Sequence, residues 1–342
     1  MSASSTPARE GQRILLLTGA TGFVGGAAYG ALVSSGWDVR CGTRDVARAA
    51  ARWPERRWVS LDMGDARSVL QAAAGCEAVL YLVHGMASDR DGYRRAELRQ
   101  AAHMAEAARL AGVRRLVYLG GVAPSTDPSE HLRSREEVGE ILRAGTVSTI
   151  ELRASMIVGH GSLSWTIVRD LAARLPVMVL PRWLKSRTQP IGIDDIVVAL
   201  VRAADLDVAG SEWFDVPGPE ILSGRDILEQ TAAVLGVGPP WIIEVPFLSP
   251  RLSSHWVRLV TRADWSVARE VVLGLKHDLI ARDDRFWRLV RHTTLLSFRE
   301  AARRAIDAEA AAMARPGGVW GRLERLRLRR APAPPTGPAA HG

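Results

Sequence analysis

Thr18-Gly19-Ala20-Thr21-Gly22-Phe23-Val24-Gly25 decides the fold of this 342-residue chain. It follows a short apolar run, residues 14–18, typical of a strand buried on both faces. It precedes a helical pattern over 23–35 that Gly36 is placed to stop. Gly19 makes the tight turn, Gly22 lets the backbone approach a pyrophosphate, and Gly25 lets helix and strand pack closely. The helix N-terminus then offers N–H groups and partial positive charge to the anion. The spacing is GxxGxxG rather than GxGxxG, so the strand–loop–helix setting carries the reading. A dinucleotide site is expected here, with Thr21, Phe23 and Val24 beside the three glycines. The competing reading is a loop kept only for packing.

Outward from this loop the elements alternate. Strands are expected at 39–43, 58–61, 78–83, 116–119 and 147–152, and helices at 66–74, 96–111 and 134–143. That order predicts an α/β fold, a Rossmann-type doubly wound parallel sheet. Beyond residue 159 prolines from Pro176 to Pro250 break the alternation, with helices expected at 194–204, 224–235, 257–279 and 298–313. The expected organisation is a disordered N-terminus over 1–10 and a dinucleotide-binding domain over 11–160, completed by segments near 188–217. A smaller C-terminal lobe takes 161–187 and 218–313, and a basic, Pro/Ala-rich, largely disordered tail runs over 314–342.

With 47% hydrophobic and 24% charged residues the composition is that of a globular chain, which excludes collagen-like or wholly disordered classes. Net charge is +8, and the stretch from Arg315 onward contributes six Arg against one Glu. No basic stripe interleaved with aromatics crosses the body, so no nucleic-acid partner is expected. Residues 14–37 are uncharged and exceed the ~20 that a spanning helix needs, yet their six glycines and strand–loop–helix pattern argue against a membrane span. Trp320–Arg330 carries Leu323, Leu326 and Leu328 among five Arg; peripheral membrane contact there is the weaker alternative. Cys41 and Cys76 form neither a CxxC pair nor a metal cluster, so no metal is expected, and with no secretory leader visible a cytoplasmic location is expected.

The end of the second strand should meet the adenosine ribose. NAD sites usually place a carboxylate there, whereas this chain reads Gly42-Thr43-Arg44-Asp45, with Arg48 one turn later. A guanidinium at Arg44 suits a 2′-phosphate, and such a charge-assisted contact is worth roughly 1.5–3 kcal/mol, a decade or two in affinity. NADP(H) is therefore expected in preference to NAD(H). In the alternative, Arg44 is a solvated residue and Asp45 takes the ribose. Asp62 and Met63, after the third strand, should lie at the adenine edge.

Taken together, the TGATGFVG loop, Val39–Asp45 (VRCGTRD), Leu61-Asp62, Tyr81–Met86 (YLVHGM), Leu152-Arg153, Arg187–Ile191 (RTQPI) with Asp194-Asp195, and Phe214–Pro219 (FDVPGP) resemble the short-chain dehydrogenase/reductase superfamily in its extended and atypical branches. The chain looks like the bacterial NAD(P)-binding proteins related to NmrA-like regulators, isoflavone-reductase-like enzymes and the nucleotide-binding accessory subunit of complex I. The resemblance covers about residues 13–287 and implies an NAD(P)H-dependent oxidoreductase.

That superfamily usually pairs Tyr and Lys four residues apart on one helix face, so that the Lys lowers the Tyr pKa for proton transfer. Here the residues four after Tyr29, Tyr81, Tyr93 and Tyr118 are Val33, Gly85, Glu97 and Val122, so the pair is absent. Where it should fall the chain reads His131-Leu132-Arg133-Ser134-Arg135. In the functional alternative His131 donates a proton and Arg135 orients ribose or substrate; in the other they are a solvated helix start. His84, beyond Leu82 and Val83 at the end of the fourth strand, and Ser155, beyond Leu152-Arg153-Ala154, are the other candidates for contact with cofactor or substrate. Each has a structural alternative, a strand-capping histidine and a buried hydroxyl. A small-molecule or hydrophobic substrate is expected in the C-terminal lobe, where Trp256, Trp265 and Trp287 form either a lid or packing. The missing pair leaves open a second function class, a catalytically degenerate NAD(P)-binding regulatory or assembly protein.

Overall fold

Every second residue of the first strand points to the same side of a sheet, and both sides are covered. The structure, a computed structural model, describes residues 13–84, 90–122, 130–174, 177–181, 186–239, 241–245 and 277–314. In chain order the first half runs β1 (Ile14–Leu17), α1 (Phe23–Ser34), β2 (Asp38–Thr43), α2 (Val46–Arg52), β3 (Arg57–Ser60), α3 (Ala66–Ala73), β4 (Ala78–Tyr81), α4 (Arg90–Leu110), β5 (Arg115–Gly121), α5 (Glu130–Ala144) and β6 (Ser148–Ala154). The second half holds β7 (Ile157–Val158), α6 (Leu163–Arg174), β8 (Val177–Pro181), β9 (Arg187–Thr188), β10 (Ile191–Gly192), α7 (Ile193–Asp205), β11 (Glu212–Asp215), β12 (Leu222–Ser223), α8 (Gly224–Leu235), β13 (Trp241–Val245), α9 (Arg285–Leu289) and α10 (Phe298–Ala314).

Seven strands form one parallel sheet in the order β11-β6-β5-β4-β1-β2-β3. Leu15 and Leu17 pack with Ala28 and Leu32 of α1 and with Ile196, Ala199 and Leu200 of α7. Ile14 and Leu16 face the other way, onto Val69 of α3, Met104 of α4 and Val138 of α5. Burial on both faces explains why these strands read as continuous apolar runs. Sequence order reverses between β1 and β4, and in such folds ligands lie outside the carboxyl ends of the strands at that point.

A separate apolar cluster joins Trp165 of α6, Ile227 of α8 and Phe298, Ala301 and Ala302 of α10. The Trp165 indole donates to Glu309 at 3.2 Å, which gives a buried carboxylate a partner. Helix α8 starts with a capping box between Ser223 and Asp226 and ends at Gly236 in the left-handed region.

Several boundaries differ from the sequence reading. Strand β4 ends at Tyr81 rather than at 83, because the Leu82 N–H leaves the ladder and donates to the Thr18 hydroxyl at 2.8 Å. Helices α4 and α5 begin at Arg90 and Glu130, earlier than 96 and 134. Helix α2 was not expected: it is short, and its start is set by the Asp45 side chain accepting from the Arg48 N–H at 2.9 Å. The helix expected over 257–279 falls outside the described residues except for its end, where Leu279 is in a parallel bridge with Thr188 instead. Trp256, Trp265, the N-terminal ten residues and the segment 320–330 also lie outside the described residues. Trp287 is buried packing: its indole donates to the Pro217 carbonyl at 3.0 Å and its ring meets Phe286 and His292. Among the described residues no helix is long and apolar enough to cross a membrane, and no cluster of metal-ligating side chains occurs.

Candidate dinucleotide and proton-transfer site

The loop between β1 and α1 leaves no room for side chains where the sequence has glycine. Gly19 has φ +65°, and a Cβ on it would stand 2.8 Å from the Leu82 carbonyl oxygen. A Cβ on Gly25 would come 2.9 Å from the Gly19 carbonyl carbon, so only glycine allows this approach. The Gly22 N–H closes the turn onto the Gly19 carbonyl at 2.9 Å. Helix α1 starts after Gly22 without any side-chain cap and with no acidic residue in its first turn. The N–H groups of Phe23, Val24 and Gly25 therefore have no partner within the helix, and no carboxylate of the first turn competes for the dipole. These residues fit a pyrophosphate.

Arg56 was not singled out in the sequence. It donates to the Ala20 carbonyl at 3.2 Å, with its guanidinium 4.4 Å above the Tyr29 ring. Because a peptide unit is planar and trans, this hold turns the Thr21 N–H away from Arg56. At the end of β2, Arg44 is exposed and engages no carboxylate among the described residues, whereas Asp45 is occupied in capping α2. Beyond β3, exposed Asp62 shapes its own turn by accepting from the Gly64 N–H at 2.9 Å. Met63 is buried in the core, and its carbonyl meets His103 at 3.0 Å.

At the ends of β4 and β5 the structure brings three predicted residues together: His84, His131 and Arg135. His84 Nε2 lies 3.1 Å from the Leu119 carbonyl, and its ring packs against Tyr118. Since a carbonyl only accepts, Nε2 carries the proton. The other nitrogen, Nδ1, faces Glu97 Oε1 at 3.9 Å. Burial, and then the Arg135 guanidinium, push the His84 imidazolium down, with Glu97 and the Leu119 carbonyl acting in the opposite sense. His131 is half-buried; burial first, then Arg135 and His84, push it down to about 3, with Glu97 opposing. At neutral pH His131 is thus a neutral hydrogen-bonding group. The Arg135 Nε is buried without a hydrogen-bond partner among the described residues, an orphaned donor of the kind a ribose or phosphate oxygen would satisfy.

Ser155 stands apart from this group. Its hydroxyl donates to the Gln189 carbonyl at 2.7 Å and ties the end of β6 to the segment around Gln189, whose side chain in turn accepts from the Ala281 N–H.

Glu97 and Ser134 are the residues that sequence reading missed. Both are buried, and the Ser134 hydroxyl donates to Glu97. A signal for Glu97 was present: positions 97, 101, 104 and 108 form one helix face, and Ala101, Met104 and Ala108 on that face are all buried. A carboxylate on an apolar stripe is a buried charge in need of partners.

An NAD(P)H-binding family matches residues 19–173. The "3-diazoavenalumate denitrifying reductase" of a Streptomyces species is 30% identical over 272 residues, 70% of this chain and 86% of that protein. The "Ceramide reductase" of Caulobacter vibrioides is 29% identical over 236 residues, 68% of this chain and 74% of that protein. Among solved structures, triphenylmethane reductase from Citrobacter sp., complexed with NADP(H), superposes with a TM-score of 0.67 at 16% identity, over 85% of this chain and 99% of that one.

Proposed function

This chain belongs to the short-chain dehydrogenase/reductase superfamily, in its atypical, NmrA-like, NAD(P)H-binding branch, and from that premise we propose that it is an NADPH-dependent reductase of a small, hydrophobic molecule. One observation supports cofactor binding most directly: the uncapped start of α1 over a glycine cradle too tight for any Cβ. Arg44 supports NADP(H) over NAD(H), because it is exposed and has no carboxylate partner among the described residues, while Asp45 is engaged as a helix cap. The reductases among the relatives support the reaction class.

In this proposal the backbone N–H groups of Phe23, Val24 and Gly25 take the pyrophosphate, with Thr21 and Gly22 beside it and Arg44 at the 2′-phosphate. Asp62 and Met63 border the adenine, Leu82 and Val83 border the nicotinamide side, and Arg135 binds ribose. The reduced nicotinamide supplies hydride. His131 and His84 hold the proton side, Ser155 keeps the cleft wall in place, and the C-terminal lobe receives the apolar part of the substrate. The proposed setting is cytoplasmic, without nucleic acid.

The test is a titration of the full chain with NADPH, NADH, NADP and NAD, read by tryptophan quenching and nicotinamide emission. A panel of ketones, enones and quinones follows. Tight NADPH binding with turnover on the panel is the expected result. Binding with no turnover on any of them would favour the regulatory reading, to which the missing Tyr-Lys pair points. No binding of any of the four nucleotides would overturn both.

A further inference from the structure

The pyrophosphate is the part that NADPH, NADH and their oxidised forms share, and a loop that receives it has to keep its N–H groups in fixed directions. We propose that Arg56, which lies outside the glycine motif, is the positioning residue of that loop: it fixes the Ala20–Thr21 peptide so that the Thr21 N–H donates to the pyrophosphate. The inference rests on the dinucleotide reading above, and it assigns Arg56 a part in affinity that is separate from the selectivity of Arg44.

Ala20 is fully buried, so its carbonyl has to be met inside the protein. Arg56 Nη1 donates to it at 3.2 Å. In a planar trans peptide the carbonyl and the next N–H point in opposite directions. With the Ala20 oxygen tied toward Arg56, the N–H of exposed Thr21 faces the other way, and it meets no acceptor among the described residues. It comes just ahead of the three N–H groups at the uncapped start of α1. A cation bonded to the carbonyl end also polarises the peptide, which makes its N–H a stronger donor. Arg56 therefore acts on the anion through one peptide unit without touching it.

The guanidinium is itself held in place. Its side chain is only 10% exposed, and Nε donates to Glu55 Oε1 at 3.3 Å. It lies 4.4 Å from the Tyr29 ring of α1 and 5.1 Å from the Trp53 ring. The Tyr29 hydroxyl donates to the Glu55 carbonyl at 3.4 Å, and the Trp58 indole of β3 donates to the Trp53 carbonyl at 3.0 Å. These contacts fasten the end of the α2–β3 connection onto α1, beside the loop. Arg44 opens the crossover from β2 to β3, and Arg56 closes it. One connection thus carries cofactor selectivity at its start and the strength of pyrophosphate binding at its end. A lysine in place of Arg56 supplies a point donor for the Ala20 carbonyl but not the planar fork that also reaches Glu55.

The experiment titrates the full chain, Arg56→Ala and Arg56→Lys with NADPH, NADH and ADP-ribose, which keeps the pyrophosphate and lacks the nicotinamide. Arg56→Ala is expected to weaken all three by one common factor of about tenfold, so that the ratio of NADPH to NADH affinity stays that of wild type. Arg56→Lys should recover part of the loss. The direct readout is the Thr21 amide in chain labelled with ¹⁵N-threonine, assigned through Thr21→Ser. Saturating NADPH should move its proton downfield in wild type, and that move should be lost in Arg56→Ala saturated with NADPH. A Thr21 amide that NADPH leaves unmoved in wild type would overturn the proposal, even if every variant failed to fold. An Arg56→Ala protein that melts lower but binds all three ligands as wild type does would overturn it too, because the role would then be structural. A loss confined to NADPH would also overturn it, since Arg56 would then contact the 2′-phosphate itself. Failure of the wild-type protein to bind any of the three would instead overturn the dinucleotide reading.

Discussion

The carbonyl of Gly19 lies so close to Gly25 that a Cβ on Gly25 would stand 2.9 Å from its carbon. The start of α1 is thereby pressed against the turn that leaves β1, and the two share one rigid geometry. Gly25→Ala has to push them apart. NADPH should bind at least tenfold more weakly, with a lower melting temperature. Gly26 has nothing within 4 Å of its Cβ position, so Gly26→Ala serves as the control. It should leave affinity unchanged and raise stability by about 0.5–1 kcal/mol, because alanine favours the helix.

Arg44→Ala separates the two cofactors. Loss of one charge-assisted contact of roughly 1.5–3 kcal/mol predicts a tenfold or greater loss for NADPH. NADH, which lacks the phosphate, should bind as it does to wild type. Fluorescence titration with both cofactors checks this, and equal losses would place Arg44 away from the 2′-phosphate.

Stability should depend on pH through His131. Its folded pKa, about 3, lies below the ordinary value of 6.5, so between those values the unfolded chain binds a proton that the folded chain does not. Stability is full above 6.5 and falls as pH drops toward 3, by at most about 1.4 kcal/mol per pH unit for this one group. Urea unfolding from pH 8 to 4 should show that fall, and His131→Gln should flatten it.

Asp195 is buried at the start of α7 and accepts from His292 at 3.0 Å and from the Leu296 N–H at 3.0 Å. Asp195→Ala strips both donors of their acceptor, which should cost about 1–3 kcal/mol in urea unfolding. Since these contacts hold residues 292 and 296 rather than the glycine loop, cofactor affinity should change less than stability.

What sequence alone determined is local. The apolar run of β1, the glycines of the loop that follows it and the Gly36 that stops α1 all act within a few residues, and short-range sterics and burial make them legible. The loop and the succession of strands and helices around it followed from such patterns, and so did the absence of the Tyr-Lys pair. Helix α2 escaped because seven residues are too few to show a period. What only the tertiary structure decided depends on distant parts of the chain meeting. His84, Glu97 and Ser134 come from three elements, and no spacing announces that β4, α4 and α5 converge there. The fate of Ser155 was likewise set by the carbonyl of Gln189, and that of Trp287 by the carbonyl of Pro217. A hydrogen bond between remote residues costs chain entropy that only the packed core repays, so its partners become readable only once that core exists.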